Sequence, residues 1–312
     1  MTGCLTIAAL LSACLAMTAA TAQDRAPDYA AIVAAPDRTE ADMQTDKRRD
    51  PVKLLAFTGA HPGMKVLDMG AGGGYSTELM ARAVAPSGVV YGQNPADIGE
   101  RAKTRFEARL NTPGGKNIVS LARPFDDPLP ADVRDLDLIT FLFFYHDTTY
   151  MPVERAEMNR KLYAALKPGG MLVIADHSAK PGAGTSVGKS LHRIEESALR
   201  REVEAAGFKL VAEGDFWRHP EDARDFSNRQ AARRSTSSCS NSKSRCERPP
   251  ALAAAQLPSR RETQDSMQAF SALTVLKLRP AAFAFSTAVG SSVPRAPRRE
   301  IVGFAAAHRL RI

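Results

Sequence analysis

Between Met64 and Trp217, short apolar runs alternate with stretches whose apolar positions recur at helical spacing. The runs fall at 64–67, 88–92, 117–121, 136–144, 170–175 and 208–212. The helical patterns occupy 76–84, 96–110, 152–166 and 190–206. Such alternation predicts βαβ units and a mostly parallel sheet. Right-handed crossovers would then line up the carboxyl ends of the strands along one edge, where ligands bind. Ala85-Pro86-Ser87-Gly88 and Leu166-Lys167-Pro168-Gly169-Gly170 read as helix stops and turns ahead of strands. Thr39 to Phe57 predicts leading helices, with Asp50-Pro51 as a helix start.

The first strand runs into Asp68, then the loop Gly70-Ala71-Gly72-Gly73-Gly74, then a helix from Ser76. Glycine lets the backbone turn sharply and approach a ligand closely. A helix start offers N–H donors and positive dipole. A dinucleotide fingerprint would space its glycines G-x-G-x-x-G and place an acid about 20 residues further on. Here the spacing is G-x-G-x-G and the acid precedes the loop. This loop resembles motif I of the class I S-adenosylmethionine (SAM)-dependent methyltransferases. The leucine–lysine–proline–glycine–glycine run before Met171 to Ala175 resembles a further signature of that family. The resemblance spans roughly residues 40–227. Met158-Asn159-Arg160, Tyr145-His146-Asp147 and Asp176-His177-Ser178-Ala179 are more narrowly similar to a bacterial family of predicted exported methyltransferases.

The resemblance implies an α/β fold: a doubly wound, Rossmann-like, mostly parallel seven-stranded sheet. It implies SAM as cofactor, with Asp68, Gly70, Ala71, Gly72 and Gly74 around its methionine part and Asp126 at its adenine amine. Asp126 and Asp127 read equally well as a solvated turn before Pro128. One departure concerns the end of the second strand, where the family usually has an acid for the ribose hydroxyls. This chain has Gln93 and Asn94, amides that can pair with hydroxyls but without the charge that strengthens such bonds.

Methyl transfer to a good nucleophile needs positioning above all. For a hydroxyl or a carbon acid, a general base helps, and histidine is the usual choice. His146-Asp147 ends the fourth strand and Asp176-His177 the fifth, so two strands deliver the same residue pair to one edge. The expectation is that His146 or His177 acts as base, oriented by Asp147 or Asp176; the alternative is a set of strand-end caps. His192 lies nearby, near the start of the predicted helix from Ser190. Arg193, Arg200 and Arg201 either meet an anionic acceptor or form a solvated face with Glu195, Glu196 and Glu202. Lys180 to Thr185 reads as a glycine-rich loop that either closes over substrate or simply connects. No metal-spaced histidine or cysteine motif is present, and no metal is expected.

Residues 1–22 read as a secretory signal, with an apolar run from Cys4 to Met17 and an A-x-A site at Ala20-Thr21-Ala22. That predicts a periplasmic or exported product. The run is too short for a stable membrane span. Leu11-Ser12-Ala13-Cys14 also resembles a lipobox, which would anchor a lipid on Cys14. Export sits awkwardly with SAM, a cytosolic metabolite, and a wrongly assigned start would leave the protein cytoplasmic.

Charge divides the chain. The whole sequence carries a net +8. Residues 228–312 hold 15 Lys+Arg against 4 Asp+Glu, whereas residues 1–227 hold 27 against 30, a net of −3. The expected organisation is therefore a signal at 1–22, a methyltransferase domain at 23–227 and a basic low-complexity or aberrant tail at 228–312. Ala272 to Leu278 is an apolar island in that tail, and either supplies the final antiparallel strand or leaves a sheet edge bare. A mildly acidic core argues against a nucleic-acid substrate. The functional reading is SAM-dependent methyl transfer to a small molecule; the alternative is an exported binding domain that keeps the fold without catalysis.

Overall fold

A computed structural model of the chain describes residues 26–227 and 273–280. The expected signal and Cys14, and the basic tail apart from 273–280, lie outside the described residues. Three helices come first: α1 (Tyr29–Val33), α2 (Glu40–Arg49) and α3 (Pro51–Thr58). Asp50 caps α3 by accepting from the Lys53 N–H, and Pro51 takes the first helical position, where no N–H is needed. Then strands and helices alternate: β1 (Lys65–Met69), α4 (Tyr75–Val84), β2 (Val89–Asn94), α5 (Glu100–Leu110), β3 (Ile118–Ala122), β4 (Leu136–Leu142), α6 (Arg155–Ala165), β5 (Leu166–His177), α7 (Gly188–Leu191), α8 (Glu196–Ala205) and β6 (Phe208–Gly214). The apolar island becomes β7 (Leu273–Pro280).

The sheet order is β3-β2-β1-β4-β5-β7-β6. β1 to β5 pair in parallel, and β7 runs antiparallel to both β5 and β6. The final strand is thus present, inserted between two others, and the β5 edge is covered. Val66, Leu138 and Val173 on one face pack with Leu54, Leu79 and Met80 of α3 and α4. Leu67, Ile139 and Ile174 on the other pack with Leu162 of α6 and Leu199 of α8. Burial on both faces explains the near-continuous apolar runs of the central strands. No helix among the described residues is long and apolar enough to cross a membrane.

Several boundaries differ from the sequence expectation. β5 begins at Leu166, so the Leu166–Gly170 run read as a turn ahead of the strand lies within it, with Gly169 at φ 82°. The fourth strand ends at Leu142, because Phe143 takes a left-handed conformation (φ 64°) and turns the chain into a 3₁₀ turn over Tyr145–Thr149. The helical pattern at 190–206 splits, and His192 is not near a helix start. It closes the four-residue α7 in a left-handed conformation (φ 52°). Residues 192–195 then run beside the end of β5: the Ile194 N–H donates to His177 O (2.9 Å) and the Ala179 N–H to Ile194 O (2.9 Å).

Candidate functional site

β1 leads toward one edge of the sheet and β4 toward the other, so their carboxyl ends flank a switch point in strand order. A crevice opens at such a point because the flanking loops diverge. The glycine loop after β1 forms one side. Gly70, Gly72 and Gly74 have φ of 61°, 57° and 79°, a region costly for residues with a Cβ. At Gly70 a Cβ would also press on the Phe144 ring, 3.3 Å away.

The two amides that end β2 hold this loop from behind. The Gly70 N–H donates to Gln93 Oε1 (3.0 Å), and Gln93 Nε2 donates to Arg123 O (2.6 Å). The Gly72 N–H donates to Asn94 Oδ1 (2.8 Å), and Asn94 Nδ2 donates back to Gly72 O (3.2 Å). The Ala71 N–H donates to Gln93 O (2.9 Å). Both amides are buried and hydrogen-bonded within the protein, where they pin the loop. Asp68 is buried too. It accepts from Thr140 (2.6 Å), Thr77 (2.7 Å) and Ser76 (2.9 Å), which ties β1 to β4 and to the first turn of α4. Burial pushes its carboxyl above the ordinary value despite those three donors.

In front of the loop lies a cavity of about 560 Å³, walled by Gly70 to Gly73, by α2 and α5, and by Leu142 and Phe143. Ion pairs lock its walls. Arg109 of α5 donates to Asp42 of α2 (2.6 and 2.9 Å), to Glu78 of α4 and to Gly73 O (2.6 Å). Arg38 makes a two-pronged pair with Asp46 (2.6 and 2.8 Å), which also accepts from Tyr75 (2.6 Å). Arg49 differs. Its guanidinium lies 3.8 Å from the centre of the Phe143 ring, with no hydrogen-bonding or anionic partner among the described residues. Burial pushes its pKa down to about 10. A half-buried cation facing a cavity without a counter-charge is a ready partner for a carboxylate. An α-amino acid moiety over the glycine loop, as in SAM, therefore fits the residues present.

The ends of β4 and β5 bring the histidines together. His146 is buried between two carboxylates: its Nδ1 meets Asp176 Oδ1 at 2.7 Å and its Nε2 meets Asp147 Oδ1 at 3.1 Å. Asp147 also receives Tyr150 Oη and meets His192 Nδ1 at 3.0 Å. Asp176, which sequence order pairs with His177, orients His146 instead. From His177 it accepts only the backbone N–H (2.7 Å). Burial works against a charged His146 ring, but Asp176 and Asp147 outweigh it and push its pKa up to about 9. Asp147 is held well below the usual carboxylate range, since His146, Tyr150 and His192 overcome the effect of its burial. Burial, with His146 and Arg49 nearby, keeps His177 well below its ordinary value and neutral. Its Nδ1 is buried without a hydrogen-bond partner among the described residues, and its ring lies 5.5 Å from Phe143.

Other sequence candidates land elsewhere. Asp126 makes a long contact with the Glu154 N–H (3.5 Å), away from the cavity wall. Arg193 neither faces solvent nor offers itself to an anion, because it is buried against Asp222 (2.8 Å) and Ser178 O (2.9 Å). Arg200 pairs with Glu213 (3.2 Å). The loop from Lys180 is tied down at Gly184, whose N–H donates to Glu195 (2.8 Å). Sequence reading missed Arg49 and Phe143. Arg49 ends a polar helix with three basic residues in a row, and nothing in that pattern distinguishes the one turned inward.

Residues 41–213 match the family model described as "Methyltransferase domain". A curated relative is the ubiquinone/menaquinone biosynthesis C-methyltransferase UbiE of Shewanella sp. (strain W3-18-1). It is 33% identical over 124 residues, which cover 40% of this chain and 47% of that protein. The chain thus spans about half the length of the curated relatives it matches. Among solved structures, the putative sarcosine dimethylglycine methyltransferase from Galdieria sulphuraria aligns over 77% of this chain and 86% of its own. Its TM-score is 0.50 at 18% identity, a likeness of fold.

Proposed function

The chain belongs to the methyltransferase-domain family, and from that premise we propose that it transfers the methyl group of SAM to a small-molecule acceptor. The observation that carries the reading is the left-handed glycine loop facing a cavity into which Arg49 presents an unneutralised guanidinium. The bound cofactor would supply an electrophilic methyl group on a sulfonium. The protein's part is then largely positional. Gln93 and Asn94 fix the loop, Asp68 fixes the strand end beneath it, and Arg49 receives the carboxylate. Holding donor and acceptor in line can supply about 7–11 kcal/mol of the barrier. The acceptor would enter beside the ends of β4 and β5, where His146, Asp147, Asp176 and His177 lie. The mild acidity of residues 1–227 favours a small acceptor over nucleic acid.

Calorimetric titration of SAM and S-adenosylhomocysteine into the full chain tests this. Binding is expected. Arg49→Met should weaken it about 10- to 100-fold, the usual worth of a hydrogen bond to a charged group. Gly72→Arg should abolish it. Folded wild-type protein that binds neither compound would overturn the assignment. The acceptor screen begins with carbon nucleophiles, since the Shewanella relative is named a C-methyltransferase.

A further inference from the structure

The arrangement of His146, Asp147 and His192 has the features of a metal site. Two separate pieces of chain build it. His146 and Asp147 come from the 3₁₀ turn after β4, and His192 comes from the left-handed residue that closes α7. α7 can approach that turn because Gly188 lacks a Cβ. A Cβ there would sit 2.0 Å from Thr149 Oγ1 and 2.9 Å from His146 O. One nitrogen of each histidine and a carboxylate oxygen lie within 4.8 Å of one another.

The neighbours of the cluster are also suited to a metal. Asp176 is fully buried and grips His146 twice, at Nδ1 (2.7 Å) and at its backbone N–H (2.6 Å). A carboxylate can only accept, so Nδ1 keeps a proton for Asp176, and the proton on Nε2, which faces Asp147, is the one a bound ion would displace. This is how an outer carboxylate orients a metal-binding imidazole. Nε2 lies 3.1 Å from the Asp147 oxygen, and His192 Nδ1 lies 3.0 Å from it. Two ligand atoms at right angles, each about 2.1 Å from one ion, are about 3.0 Å apart. The side chains are 4%, 6% and 12% exposed, so water screens their charges poorly.

We propose that His146 Nε2, the Asp147 carboxylate and His192 Nδ1 bind a divalent first-row transition metal ion. Two imidazoles and one carboxylate suit zinc, iron, cobalt or manganese, whereas magnesium and calcium prefer all-oxygen sites. Three protein ligands leave positions for water or for an oxygen donor of a substrate. None of the three ligands lines the cavity in front of the glycine loop, so the ion can be tested without SAM.

The test uses untagged, full-length protein stripped with chelator. Co²⁺ is titrated while visible absorption is followed, and bound Zn²⁺ is counted by elemental analysis. The expected result is one ion per chain, weak d–d bands, no thiolate charge-transfer band, and no competition from millimolar Mg²⁺. His192→Gln and Asp147→Asn should each abolish binding while near-ultraviolet circular dichroism stays that of the wild type. If folded wild-type protein binds no transition ion, the cluster is a hydrogen-bonded cap and the proposal fails. It fails equally if binding survives both substitutions, or if a thiolate band shows that the cysteines hold the metal.

Discussion

Gln93 and Asn94 stand where the family resemblance implies a carboxylate, and each makes two hydrogen bonds to the chain around the glycine loop. Sequence identifies the departure but not its consequence, because an amide can face a ligand or its own backbone with equal ease. Gln93→Leu keeps the volume and strands the Gly70 N–H and Arg123 O. A buried polar group left without its partner costs about 1–3 kcal/mol. A lower urea midpoint and weaker SAM binding are therefore expected together. An unchanged midpoint would mean that Gln93 does not brace the loop. His146 shows the same limit on reading from sequence: its neighbour Asp147 is legible, but its second partner Asp176 lies 30 residues away.

At the scale of elements, Arg109 joins three helices and the glycine loop in one ion network. α5 carries it, α2 supplies Asp42 and α4 supplies Glu78. Removing one partner of a buried pair leaves the others uncompensated, at about 3–5 kcal/mol. Arg109→Met should lower stability by that order in denaturant titration. The network also sets an acid dependence. Burial would raise the pKa of Asp42, but Arg109 holds it below the ordinary 3.8. A group with a depressed folded pKa contributes stability above its unfolded pKa and loses it as pH falls through the folded one. Wild-type stability should therefore decline below about pH 4, and Arg109→Met should flatten that decline. A variant as acid-sensitive as the wild type would place the dependence on other carboxylates.

For the whole molecule, β7 is the element that matters most beyond the alternating core. It pairs on one side with β5 and on the other with β6, and Leu276 and Leu278 are fully buried. A chain ending at residue 227 should lose both ladders, expose the β5 edge and aggregate. A soluble, cooperatively melting truncation would show that β7 is dispensable. The α/β alternation, the glycine loop with its preceding acid, and the delivery of two His/Asp pairs to one sheet edge are all legible in the amino-acid order. Those features are local, since they depend on periodicity, on glycine's missing Cβ and on which end of a strand a residue occupies. It took the folded chain to decide that β7 inserts between β5 and β6. The fold also decided that Asp176 serves His146, that His192 joins Asp147, and that Arg49 turns inward over Phe143. Each of these depends on segments far apart in sequence meeting in space, and side-chain periodicity carries no record of such partners.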